Sequence, residues 1–274
     1  MSIHKNEESA PAAIIKTATD IRALALEDFY PSYDSVFRSI PIGDVLEFAK
    51  YPGSATRVLP SDFTSTMTSS GFACIFTKDE NGQIIDIEML PNSMTSTSHS
   101  EFTVVTKEST GKDENNRGVQ VWLEMTVDED AIGRFLSNNS SYCYEHFCEI
   151  YTVIFTMGKP ISSGFKGPCL SFHPDIIDLQ EKNYDATCRR LEKKAKAGRK
   201  VNILEIVLLP LIGTKAPAFE KAQKACSLIL LCEKDPEKRK KYGAALAMAA
   251  GKVLNESEQE AMKTEMRKLG LLEE

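Results

Sequence analysis

No part of this sequence stays apolar for long. Its longest apolar run, Ile203 to Ile212, is interrupted by Glu205 and Pro210 and reaches about half of the ~20 residues that a membrane-spanning helix needs. That excludes a spanning segment there and leaves a buried segment or a surface contact with membrane. The first twenty residues mix Lys5, Glu7 and Glu8 with small residues and hold no continuous apolar stretch, so neither a secretory signal nor an anchor is expected. The expected location is intracellular and cytoplasmic. The seven cysteines form an odd, scattered set, unlike a small disulfide-stapled fold, and are read as reduced thiols.

Catalytic signatures are missing too. The sequence has no G-x-S-x-G, H-E-x-x-H or G-x-G-x-x-G, and Ser109-Thr110-Gly111-Lys112 lacks the earlier glycine and the following Ser or Thr of a phosphate loop. Four histidines, His4, His99, His146 and His173, make general bases scarce. His173-Pro174-Asp175 could hold an acid–base pair, but a proline turn and helix N-cap explain it as well. The expectation is a non-enzymatic protein without a cofactor.

What is present is charge, unevenly placed. The net charge of −6 divides into 20 Lys and Arg against 15 Asp and Glu in residues 176–274, and 13 against 24 in residues 1–175. A basic end on an acidic chain suits an anionic partner or head-to-tail self-association. Two solvated surfaces would look the same.

The hydrophobic period changes twice. Helical spacing marks Ile14 to Leu26 and Asp34 to Lys50, the latter split by Pro41 and Gly43. Strict alternation of Val119, Val121, Leu123, Met125 and Val127 with Gln120, Trp122, Glu124 and Thr126 predicts a half-buried strand. Phe72 to Lys78 and Ile84 to Leu90 flank an Asn81-Gly82 turn and predict a hairpin. Strands are also predicted at Phe102 to Lys107, Ile150 to Met157 and Leu170 to Phe172, with a helix from Asp128 to Leu136 and a strand from about Cys148. Helical spacing then returns from Asp175, a candidate N-cap, to Gly198, and continues at Asn202 to Leu209, Ala218 to Cys232, Pro236 to Leu254 and Ser257 to Leu269. The expected class is α+β, with a helical N-terminal arm (1–60), an antiparallel β-rich middle (61–175) and a helical, basic C-terminal third (176–274).

The strongest candidate site is a basic stripe. Arg189, Lys193, Lys196 and Lys200 step by four, three and four along the predicted helix, with Arg190 and Lys194 beside them and Arg199 at its end. Such a stripe neutralises phosphates by counterion release, giving affinity with a strong salt dependence. A solvated helix face carries the same pattern. A second cluster, Lys238 to Lys241, joins the stripe only if the fold brings them together. Cys143, His146 and Cys148 would suit zinc if Cys169 or His173 supplied a fourth ligand, but the spacing is not a standard knuckle and no metal site is expected. The apolar runs Ile203 to Ile212 and Ala225 to Cys232 are candidates for a partner or membrane patch, or for core.

The order of Phe72 to Asp79, Glu101 to Val105, Gly118 to Leu123 and Cys148 to Ile154 resembles the β core of thirty-kilodalton-type viral movement proteins, with Asp79 in the place of the family's characteristic aspartate. The resemblance covers residues 70–175. It implies cooperative binding of single-stranded RNA, self-association, and peripheral membrane contact near plasmodesmata. A matrix or structural protein of a negative-strand virus fits the composition almost as well. Two other classes remain: a protein-binding adaptor working through apolar C-terminal helices, and an enzyme with a pocket gathering His173, Cys169 or nearby carboxylates.

Overall fold

The computed structural model describes residues 36–37, 39–48, 70–78, 84–89, 117–146, 149–168, 170–213 and 215–273. The predicted helix at Ile14 to Leu26, the strand at Phe102 to Lys107 and Asp79 lie outside them.

The alternating segment forms a strand, β3 (Arg117–Glu124), at the centre of a five-stranded sheet. On one side it pairs antiparallel with β1 (Ser70–Lys78), which pairs antiparallel with β2 (Ile84–Met89), the expected hairpin. On the other side β3 pairs in parallel with β4 (Glu149–Thr156). The sheet is therefore mixed, which corrects the antiparallel expectation.

The cause is the helix between β3 and β4. It was expected to stop at Leu136 but runs as α2 from Glu129 to His146, 18 residues. At 1.5 Å per residue that is roughly 27 Å, and an 8-residue strand rises roughly 26 Å. The helix can therefore carry the chain back to the start of the next strand, as a parallel crossover requires. The shorter helix could not.

A second correction concerns the segment after His173. Ile176 and Ile177 do not open a helix; they lie in β7 (Asp175–Asp178), parallel to β4 with Asp175 opposite Val153. Two adjacent β-branched residues suit the pleat better than a helix's first turn. The expected boundary between residues 175 and 176 falls inside this strand. The short strands β5 (Phe165–Lys166) and β6 (Ser171–Phe172) form a separate hairpin between β4 and β7.

Both faces of β3 and β4 are covered. Trp122 and Ile154 point to a smaller core with Val127, Ala131, Ile132 and Phe135 of α2 and its approach, plus Phe172 of β6. The Trp122 and Phe135 rings lie 4.7 Å apart at a 40° tilt, a favourable aromatic arrangement. Val121, Leu123, Val153 and Phe155 point the other way, into a larger core shared with the short α1 (Ile42–Phe48) and with the C-terminal helices. These are α3 (Tyr184–Lys196), α4 (Ile203–Val207), α5 (Ala218–Cys232), α6 (Pro236–Gly251) and α7 (Glu256–Lys268).

Residues 203–212 form α4 and a 3-10 turn, and every one is buried. A segment apolar on all sides belongs in a core, and of the two readings of this run, patch or core, residues 203–212 take the core one. Helix ends follow local chemistry. Asn183, Asn202, Asp235 and Asn255 each cap the helix that follows by accepting a backbone N–H. Asn255, not Ser257, opens α7, in a reciprocal capping box with Glu258. On α6, Gly243 permits the closest approach: a Cβ there would collide with the Leu271 carbonyl.

A candidate anion-binding cleft

The helix α3 buries Thr187, Cys188 and Leu191 and ends at Lys196. Gly198 takes φ +64°, its N–H reaches the Ala195 carbonyl at 3.0 Å, and Arg199 N–H reaches the Lys194 carbonyl at 2.9 Å. This paired closure is the Schellman turn, which needs a left-handed residue that glycine adopts without strain. It turns Arg199 and Lys200 back across the end of the helix.

There they meet the loop between α5 and α6. A cleft of about 840 Å³ is lined by Lys196, Arg199 and Lys200 on one side and by Lys234, Lys238 and Lys241 on the other. Its volume is within the roughly 300–1,000 Å³ of ligand sites. The fold thus joins the basic stripe to the second basic cluster. Val201, Ile203, Leu231 and Tyr242 contribute apolar wall, with Leu231 45% exposed.

Two carboxylates also line the cleft, and both are held. Glu233 Oε1 accepts the backbone N–H groups of Lys234 and Asp235 at 2.8 and 2.9 Å. Asp44 is fully buried. Its Oδ2 accepts from Ile203 N at 2.8 Å, and its carbonyl accepts from Asn202 Nδ2 at 2.7 Å. Lys200 Nζ lies 2.6 Å from Asp44 Oδ1, an ion pair at the mouth of the cleft. Burial raises the Asp44 pKa, and Lys200 opposes that shift. Cys232, also in the wall, has its thiol pushed up to about 11, chiefly by burial. It is protonated at neutral pH and a poor nucleophile.

The structure sorts the seven stripe residues into three groups. Arg190 pairs with the buried Glu205, and Lys200 pairs with Asp44. Lys196, Arg199 and again Lys200 line the cleft. Arg189 and Lys193 are exposed and Lys194 half-buried, outside the lining.

The second cluster divides by helical phase. Arg239 donates from Nε to Glu233 O at 2.6 Å and from Nη2 to Leu230 O at 3.1 Å, closing the end of α5. Lys240 pairs with Glu237 at 3.0 Å and lies 3.6 Å from Glu273. Lys238 and Lys241, three residues apart, share the cleft side. Sequence reasoning passed over Lys234; its signal was the break between the two apolar runs of α5 and α6.

The other candidates do not assemble. Cys143 Sγ donates to Asn139 Oδ1 at 3.5 Å, and Asn139 Nδ2 donates to Ile150 O and Thr152 Oγ1, so this cysteine belongs to a polar bridge between α2 and β4. The side chains of His146, Cys148 and Cys169 lie outside the described residues; His173 is exposed. Among the described residues no three His, Cys, Asp or Glu side chains gather to hold a metal, Cys188, Cys226 and Cys232 form no disulfide, and no helix is long and apolar enough to cross a membrane. No protein-family model, curated protein or solved structure matches the chain.

Proposed function

We propose that this chain is a non-enzymatic binding and assembly protein that holds single-stranded RNA in the basic cleft. The observation that carries the reading is the convergence of six cationic side chains from two sequence-distant runs around one opening, with both lining carboxylates tied to other groups. Lys196, Arg199, Lys234 and Lys238 have no salt-bridge partner among the described residues and are the cations available to phosphate. Arg189 and Lys193 extend the positive surface along α3 for roughly 10 Å beyond Lys196, so a polyanionic strand can pass out of the cleft along the helix. The apolar wall gives unstacked bases a surface that water disfavours.

This is the activity that the resemblance to viral movement proteins implies, acting in the cytoplasm, and self-association on the RNA would make binding cooperative. The adaptor alternative relied on exposed apolar C-terminal helices, and residues 203–212 are buried instead.

The test is a salt series with labelled single-stranded RNA. Wild type is expected to bind at micromolar or lower concentration. Changing Lys196, Arg199, Lys234 and Lys238 together to Gln should flatten the dependence of log K on log salt by about 3, since each phosphate neutralised on a single strand contributes about 0.7. Salt-independent binding, or a variant with an unchanged slope, would overturn the reading.

A further inference from the structure

We infer that the cleft takes one end of the RNA: it holds the phosphate group at the 5′ terminus, and the strand leaves in one direction, along α3. The inference rests on the RNA reading of the cleft and adds which part of the strand occupies it.

The surroundings of the cleft differ from side to side. Three segments wall it: the turn after α3, the loop between α5 and α6, and residues 39–44 at the start of α1. Beyond the first wall lie Lys193 and Arg189, both exposed, so the positive surface continues. Beyond the second it stops. Asp235 and Glu237 are exposed there, next in sequence to Lys234 and Lys238. Lys240 is engaged by Glu237 and Glu273, and Arg239 is turned onto the carbonyls of Glu233 and Leu230. The third wall carries carboxylates as well: Asp44 is buried with Lys200 as its partner, and Glu47, three residues further along α1, is exposed. A strand running across the cleft would have to leave over acidic surface, where like charges repel it. A strand that begins in the cleft leaves over basic surface alone.

The charge inside the cleft suits a terminus better than an interior stretch. Lys196 and Arg199 stand on one side of the opening and Lys234 and Lys238 on the other. Each internal phosphodiester brings a single charge to such a cluster. A terminal phosphate brings about −1.5 to −2 and three acceptor oxygens, and a terminal triphosphate brings more into the same space. Arg199 adds a planar fork that can pair two of those oxygens at once. A 3′ end with its hydroxyl has no such charge, so the cluster selects the 5′ end. Leu231, exposed on the wall, gives the first base an apolar surface.

The experiment titrates the full chain into three RNAs of one sequence, labelled at the 3′ end and carrying a 5′-triphosphate, a 5′-monophosphate or a 5′-hydroxyl, at fixed salt. Wild type is expected to bind the triphosphate RNA about tenfold tighter than the hydroxyl RNA, with the monophosphate between them. The variant K196Q/R199Q/K234Q/K238Q should bring the three affinities together. R189Q/K193Q should weaken all three by a common factor and keep their ratio. Inorganic triphosphate should displace the triphosphate RNA from wild type. Equal binding of the three RNAs by wild type would overturn the inference, leave the RNA reading in place and return the cleft to an interior stretch of strand; this comparison decides by itself if the cleft variant fails to fold. A preference that survives the cleft variant, or that disappears with R189Q/K193Q, would put the terminus elsewhere and overturn it too. Failure of wild type to bind any of the RNAs would overturn both readings, and inorganic triphosphate bound in that case would assign the cleft to a free polyphosphate.

Discussion

Arg190 and Lys196 stand on the same helix; one is paired with a buried carboxylate and the other lines an open cleft. The same division separates Arg239, which closes α5, from Lys238 beside it. The inward group, Arg190, Lys200, Arg239 and the buried Lys221, is attached to fixed oxygens. The outward group, Lys196, Arg199, Lys234 and Lys238, faces solvent. A run of lysines and arginines therefore does two jobs, and whether a fixed oxygen lies within reach of each side chain decides which. Inward cations should govern stability and outward ones association.

The largest effect that tests this division is at Lys221. It is 3% exposed, has no carboxylate partner among the described residues, and donates to the carbonyls of Ile212 and Gly213, the former at 2.7 Å. Lys221→Ala strands both buried oxygens and should reduce unfolding free energy by about 2–4 kcal/mol in urea titration. Lys221→Met keeps the stem and should recover part of that loss; full recovery would show that packing, not the ammonium, matters.

Next comes Arg190→Ala, which leaves Glu205 buried without its cation. Breaking a fully buried pair costs about 3–5 kcal/mol. The Arg190 side chain is 46% exposed, so the expected loss is about 1–2 kcal/mol. A variant as stable as wild type would move Arg190 into the outward group.

Asp44 supplies a pH test. Its pKa is raised above the ordinary 3.8, chiefly by burial, so the folded protein holds this proton more tightly than the unfolded chain. The resulting stabilisation is fully present below the unfolded value and is lost as pH rises through the folded one. Asp44→Asn cannot titrate, so its urea midpoint should gain less than wild type's between neutral pH and about pH 4. Equal gains would remove Asp44 from the set of proton-linked groups.

The smallest effect on stability is expected for the outward set. Changing Lys196, Arg199, Lys234 and Lys238 to Gln should leave the unfolding free energy within about 0.5 kcal/mol per site while flattening the salt dependence of RNA binding. A cooperative loss of stability there would erase the distinction between the two groups.

Much of the helical third was legible because its signals are local. The span Ala218 to Cys232 is α5 as predicted, and Gly198 and Gly270 end their helices at positive φ. The pairing of β1 with β2 followed from the Asn81-Gly82 signal between them in the sequence. The parallel half of the sheet was not legible, because Ser141 to Tyr151 combine residues that suit a helix or a strand, and only the finished crossover decides. The cleft had the same obstacle. Lys196 and Lys238 are 42 positions apart in sequence, and their meeting depends on the turn at Gly198, the Asp44 anchor and the α5–α6 packing acting together.

The sheet also sets a timetable for synthesis. Val121, Leu123, Val153 and Phe155 are all made before residues 203–212, the segment beneath which they end up. At roughly 5–20 residues per second, the nascent chain carries that sheet face without its C-terminal cover for roughly 2–10 s after Phe155 is added. For that interval those side chains depend on whatever the ribosome's surroundings provide, and a chain arrested near residue 175 would never lose that dependence.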